Sequence, residues 1–202
     1  MIDIEKNDLF ENSKSTLRKT SMDGPGGSNA KQYMSESDLE VYDFDKIKRK
    51  HTGALHVSHP KSSDAFYINK TQSEMFLIEF KNGRLGKIGQ CDSCKREFYG
   101  KREVWIKIFD SLLILAELLS ISISDARNKL GYILVYNDDK NPLSEEGTEA
   151  IGKYVIGDRG EDKFVVFGLG RFEKLYFKSV HTVTKDEFKK NFSDNWEKEL
   201  MI

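Results

Sequence analysis

Cysteine is scarce in this 202-residue chain: only Cys91 and Cys94 occur, in the run Cys91-Asp92-Ser93-Cys94. An iron–sulfur cluster held by four thiolates is therefore excluded. A closed zinc site also takes four ligands, and this pair would have to borrow a histidine such as His51, His56 or His59 from a distance. The pair lies in a Gly- and Lys-rich stretch rather than at a helix start after a strand, which argues against a thioredoxin-like role and for two free thiols. Long hydrophobic runs are missing as well. The most apolar stretch, Val104 to Leu119, carries Lys107, Asp110 and Glu117 and falls short of the ~20 residues of a membrane span. Met1-Ile2-Asp3-Ile4-Glu5 lacks the basic and apolar regions of a signal peptide, so a cytoplasmic location without membrane contact is expected. Nucleotide loops fail too. Gly24-Pro25-Gly26-Gly27 has no strand before it and no Gly-Lys-Ser/Thr after it, and Gly168-Leu169-Gly170 lacks a third glycine.

Apolar residues make up 38% of the chain and aromatics 11%, enough for one good core and too little length for a second large domain. The formal charge of −1 hides an asymmetry. From Lys81 to Lys107 the balance is +5, carried by Lys81, Arg84, Lys87, Lys95, Arg96, Lys101, Arg102 and Lys107; from Ile108 to Asp162 it is −6. A basic rim of that kind suits a polyanion, whereas a charge run taken alone reads equally as a solvated loop.

That basic segment begins where the most informative stretch ends. Between Asp64 and Lys81 an aspartate precedes two β-rich runs, the second being Met75-Phe76-Leu77-Ile78-Glu79-Phe80-Lys81 before Asn82-Gly83. Side chains alternate along a strand, so Phe76, Ile78 and Phe80 enter a core while Glu79 and Lys81 share the opposite face. Pairing of the Asp64 to Ile68 run with it would bring Asp64 to Glu79 and set two carboxylates beside a lysine. Mg²⁺ takes hard oxygen ligands and keeps several waters, so such a pair plus substrate phosphate oxygens can suffice. The bland alternative is a solvated strand face with an incidental Glu/Lys pair.

Asp64, a hydrophobic strand and Glu79-x-Lys81 together resemble the PD-(D/E)XK nuclease superfamily over about Glu36 to Lys107. Ser63 stands where the motif's proline would be. The resemblance implies an α/β fold with a restriction-endonuclease-like mixed central sheet flanked by helices. It implies a metal-dependent nuclease acting on DNA ahead of RNA, with Asp64, Glu79 and Lys81 as catalytic residues. Mg²⁺ or Mn²⁺ would be held by Asp64, Glu79, the Phe80 carbonyl and Glu40, a first-helix glutamate with Glu36 as the second choice. Arg84, Lys87, Lys95, Arg96, Lys101, Arg102 and Lys107 would line the nucleic acid. The competing reading is an inactive nuclease-fold module that binds a protein or nucleic acid, such as a phage or plasmid regulator or an immunity-type protein.

Composition divides the rest. Residues 1–34, rich in Ser, Lys, Thr and Gly, read as a flexible arm with a short helix at its start, and 35–202 as the domain. A helix is expected over part of Ser35 to Lys50. Glu103 to Leu119 is the strongest helix, apolar on most sides apart from Lys107, Asp110 and Ser111, and is expected to be buried on a sheet. Strands are expected at Leu130 to Tyr136, Lys163 to Leu169 and Leu175 to Thr182, with a short helix at Ser144 to Tyr154. Thr184 and Glu187 form a capping box ahead of Phe188, Phe192, Trp196 and Leu200. His56 and His59 read as loop or substrate-contact residues.

Overall fold

The computed structural model of the chain describes residues 4, 7–23, 32–85, 97–142, 153–156 and 162–201. Its centre is an antiparallel hairpin of β5 (Ala65–Asn69) and β6 (Glu74–Lys81), in register from Ala65 opposite Ile78 to Asn69 opposite Glu74. The turn between them is tied by the Gln72 N–H donating to Asn69 Oδ1 at 3.1 Å. Strand β4 (Glu40–Asp43) pairs antiparallel with β5, and β1 (Lys14–Thr16) closes that edge. Beyond β6 the chain crosses over through α4 (Glu97–Leu119) and α5 (Ile123–Lys129) to β7 (Leu130–Tyr136), which runs parallel to β6. β10 (Ser179–Thr184) adds parallel to β7 and completes a six-stranded mixed sheet in the order β1-β4-β5-β6-β7-β10. Two small antiparallel pairs lie apart from it: β2 (Met22–Asp23) with β3 (Gln32–Tyr33), and β8 (Lys153–Ile156) with β9 (Asp162–Val165). The protein is thus mixed α/β, with helices on both faces of its sheet.

Both faces are covered because β7 is buried at every position and β6 at every position but its two ends, the pattern of strands enclosed on both sides. Phe76, Ile78 and Phe80 face one core with Ala65, Ile133, Val135, Phe188 and Trp196; Met75 and Leu77 face the other with Val104, Ile108, Leu112 and Leu115 of α4. Gly131 belongs to this tight layer, since a Cβ there would come within 2.6 Å of the Phe76 ring. The face carrying Glu79 is consequently not a wet surface but the floor beneath α4. That helix begins earlier than its apolar pattern suggests and buries Val104, Ile108, Leu112, Leu115 and Leu119, yet leaves Ile106, Phe109 and Leu113 exposed along one flank.

Several expectations are corrected. The described part of residues 1–34 is folded: Asn7 caps α1 (Asp8–Glu11), α2 (Leu17–Thr20) follows β1, and Phe10 and Leu17 are fully buried. Two apolar side chains at the right spacing were enough to anchor a composition that reads as an arm. The helix expected over part of Ser35 to Lys50 is present from Phe44 onward. Glu40 to Asp43 is strand, and Asp43 caps α3 (Phe44–Ala54) by accepting the Lys46 N–H at 2.9 Å. Lys153 and Tyr154 are strand rather than helix, and residues 144–150 lie outside the described chain. The expected strand at Lys163 ends at Val165, and that at Leu175 begins at Ser179.

The Thr184 and Glu187 box is present in both directions and opens α6 (Lys185–Phe188), which continues through a π turn (Lys189–Ser193) into α7 (Asp194–Glu199). Phe188 and Trp196 are buried, Trp196 stacking on Tyr67 at 4.2 Å, while Leu200 is exposed. Among the described residues no helix is long and apolar enough to cross a membrane.

If the N-terminal segment is part of the core, Leu17→Ala should destabilise the protein by about 2–5 kcal/mol in urea or guanidinium unfolding. An unchanged midpoint would restore the flexible arm.

Candidate functional site

Asp64 sits just before β5, where its N–H donates to the Ile78 carbonyl at 3.0 Å and its carbonyl accepts from Phe44 N at 3.1 Å. With the backbone pinned, the side chain turns to β6, and Oδ2 accepts the Phe80 N–H at 2.7 Å. A register slip of one residue in the hairpin would send Asp64 and Glu79 to opposite faces. In the observed register they meet. Lys107 reaches down from α4 and places Nζ 2.6 Å from Glu79 Oε1 and 3.4 Å from Asp64 Oδ1. The Glu79 side chain is 1% exposed and that of Asp64 24%. Glu79 Oε2 is buried and has no hydrogen-bond partner among the described residues.

Lys81 lies on the same strand face one step further along. Its Nζ donates to Glu103 Oε2 at 3.1 Å, and the other oxygen of Glu103 takes Lys61 Nζ at 3.2 Å. Four residues of helix advance about 6 Å and two residues of strand about 6.8 Å. Glu103 and Lys107 of α4 therefore meet Lys81 and Glu79 of β6 as two successive rungs of opposite charge. One helical turn on, Ser111 Oγ accepts the Ser63 N–H at 2.7 Å, fixing the residue before Asp64.

The electrostatics follow from burial. Two carboxylates share one ammonium, which can offset only one negative charge. Burial, and then the charge of Asp64, push the Glu79 carboxyl up to about 8, against the pull of Lys107. Burial also raises Asp64, opposed by Lys107 and the Phe80 N–H. Burial works against the Lys107 ammonium, but Glu79 and Asp64 outweigh it and hold the group above the ordinary lysine value. For Glu103 the two lysines outweigh burial and keep the carboxyl below its ordinary value.

The site opens on a cavity of about 320 Å³ at the carboxyl end of β6, where α/β sheets commonly take ligands, lined also by Ser21, Asp23 and Met34. Asn82 braces it. Its Nδ2 donates to Asp23 Oδ2 at 2.8 Å and to Gln32 Oε1 at 3.0 Å, and its Oδ1 accepts from Asn137 Nδ2 at 2.7 Å. Polar β2 and β3 are thereby fastened over the ends of β6 and β7.

Asp64, Glu79 and Lys81 are thus brought together as expected, and Lys107 joins them. Glu40 is not. It lies on β4, between β1 and β5, with its side chain 67% exposed and Lys14 Nζ 3.5 Å away, because the chain at 40–43 is strand rather than helix. The α3 carboxylate whose charge bears on Asp64 is Asp45, anchored by Lys48 at 2.7 Å and by the Ser62 hydroxyl. Lys107 is not a free rim cation, being spent on the two carboxylates. Arg84 and Arg102 are exposed; Lys87, Lys95, Arg96, Cys91 and Cys94 lie outside the described residues, as does the Lys101 side chain. His51 pairs with Glu117 at 3.4 Å and His59 with the Thr52 hydroxyl at 2.6 Å, so neither joins the site. Glu103 went unnoticed in the sequence, although its place four residues before Lys107 was the available signal.

Among the described residues no group of three or more His, Cys, Asp or Glu side chains is placed to hold a metal ion. The described residues form no closed zinc site, and Cys91 and Cys94 lie outside them. The unpartnered Glu79 Oε2, with Asp64 Oδ1 nearby, does fit a hard cation of the Mg²⁺ kind, which takes one or two carboxylates and keeps its waters. No protein-family model, no curated protein and no solved structure matches this chain.

A carboxyl held at about 8 in the fold and near 4.5 when unfolded keeps in the native state a proton that the unfolded chain has lost. Stability should therefore fall as pH rises from about 4.5 to about 8. Glu79→Gln leaves one carboxylate for one ammonium, and its stability should vary less with pH over that window in denaturant titrations. Parallel pH curves for the two proteins would show that Glu79 is ionised throughout.

Proposed function

We propose that this protein is a metal-dependent nuclease of the restriction-endonuclease-like, PD-(D/E)XK type, hydrolysing phosphodiester bonds in DNA ahead of RNA. The observation that carries this reading is the pair of carboxylates, Asp64 and Glu79, converging on a single cation from neighbouring antiparallel strands, with Lys81 on the next rung. The crossover through α4 to a parallel strand supports it too. Asp64 and Glu79 would hold Mg²⁺ or Mn²⁺, with the Phe80 carbonyl beside them. The ion would supply Lewis-acid polarisation of a phosphate oxygen and a more acidic bound water.

The chain's own residues do the rest. Lys81, held by Glu103, orients the attacking water at the mouth of the cavity and offsets charge developing on the phosphate. Asn82 keeps the strand end rigid under it. Exposed Arg84 and Arg102, with Lys87, Lys95, Arg96 and Lys101 of the intervening basic run, supply the attraction for a phosphate backbone.

A second reading, an inactive nuclease-fold binding module, is favoured by two observations: the Lys107 ammonium already occupies the place between the carboxylates, and Glu40 does not join them.

Calorimetric titration of Mn²⁺ into the purified protein separates the two. The nuclease reading expects binding that Asp64→Ala abolishes. It also expects Lys81→Met to retain Mn²⁺ while cleavage falls by on the order of a hundredfold or more, the scale of losing one preorganised electrostatic group. Binding to nucleic acid should weaken steeply with salt. Wild-type protein that binds Mn²⁺ and nucleic acid yet cleaves neither DNA nor RNA, single- or double-stranded, would leave the binding module standing.

A further inference from the structure

We propose that Lys107 is a tethered stand-in for the divalent cation, and that metal enters between Asp64 and Glu79 only by exchange with its ammonium group. This inference rests on the metal-site reading above and adds the regulation of that site. The geometry is that of occupancy. One Nζ lies 2.6 Å from Glu79 and 3.4 Å from Asp64, and among the described residues no other cation bonds to either carboxylate. The buried Glu79 beside a partly exposed Asp64 cannot be left bare, since stripping a buried charge of its partner costs more than the pair itself is worth. Nor can a divalent ion settle beside an ammonium at that spacing, because like charges a few ångströms apart in a poorly solvated site repel strongly. The carboxylates thus hold one cation at a time.

The exchange needs no movement of the helix. Val104, Ile108 and Leu112 fix α4 on the sheet, whereas a lysine carries its charge on a flexible four-carbon stem. Lys107 is 18% exposed and lines the 320 Å³ cavity, which gives the displaced ammonium a place to go. It would arrive on the side from which a phosphate approaches. Without metal, the lysine keeps the carboxylates assembled; with metal, the same side chain becomes available to an anion.

Two measurements on the full chain test this. Mn²⁺ is titrated calorimetrically into wild type, Asp64→Ala and Lys107→Met. In parallel, amine acetylation of wild type is mapped by mass spectrometry with and without Mn²⁺. Lys107→Met is expected to bind Mn²⁺ about tenfold or more tightly, the loss of one close repulsive charge. Acetylation at Lys107 is expected to rise when Mn²⁺ is added. Binding by Lys107→Met alone would show the ammonium to be a permanent occupant, overturning the exchange and, with it, the metal binding expected of wild type. Should that variant fail to fold, the acetylation of wild type decides. Mn²⁺ binding that Asp64→Ala abolishes, with unchanged affinity in Lys107→Met and unchanged acetylation of Lys107, would overturn the exchange and leave the metal site standing. Absence of Mn²⁺ binding in all three proteins would overturn both.

Discussion

The Lys107 ammonium between Asp64 and Glu79 is the interaction on which the centre of this protein depends. It joins α4 to the hairpin, and it makes tolerable the burial of a glutamate that is fully enclosed by the sheet and the helix. Hydrophobic packing on either side would hold α4 near the sheet without it. What the ammonium adds is a reason for polar groups to lie at that depth at all, because an apolar substitute for the trio would pack as well and bind nothing.

Around this contact the polar and apolar layers divide the work. Phe76, Ile78 and Phe80 of β6 seal one core with Phe188 and Trp196, and the odd-numbered residues pass from apolar Met75 and Leu77 to ionic Glu79 and Lys81 as the strand nears the cavity. The face is apolar at one end and ionic at the other. Asn82, Asn137 and Asn141 then finish the ends of two parallel strands with side-chain amides, Asn141 donating to the Gly83 carbonyl at 3.0 Å. Carboxylates, lysines and cavity are therefore mounted on elements that cannot shift separately.

The sequence disclosed this centre unevenly. β6 and β7 were legible because unbroken apolar runs of that length have few alternatives, and the Thr184 box because capping is local chemistry. Asp64 and Glu79 could be paired from a single hairpin, since the strands that carry them are neighbours in the chain. Glu40 falls outside the expected helix because pairing with β1 and β5 draws Glu40 to Asp43 into a strand, and no local rule contains that pairing. The N-terminal segment was misread for a similar reason. Phe10 and Leu17 stand in polar surroundings whose average says arm, while their burial depends on partners far along the chain. Lys107 reads from the sequence as a nucleic-acid-binding lysine of the basic rim and not as the partner of Glu79 and Asp64, because those two acids lie 28 and 43 residues away.

The paired rungs between α4 and β6 also act as a key for assembly. Helix and strand carry their charges in complementary order, Glu103 then Lys107 against Lys81 then Glu79. If α4 docked one turn out of place, Glu103 would fall against Glu79 and Asp64, and three carboxylates would be buried together with no ammonium. The apolar stripe alone would accept that error, because leucines and isoleucines recur at every turn. The charges would not, so the side chains that form the site are also those that tell a nonpolar helix where on a nonpolar sheet to stop.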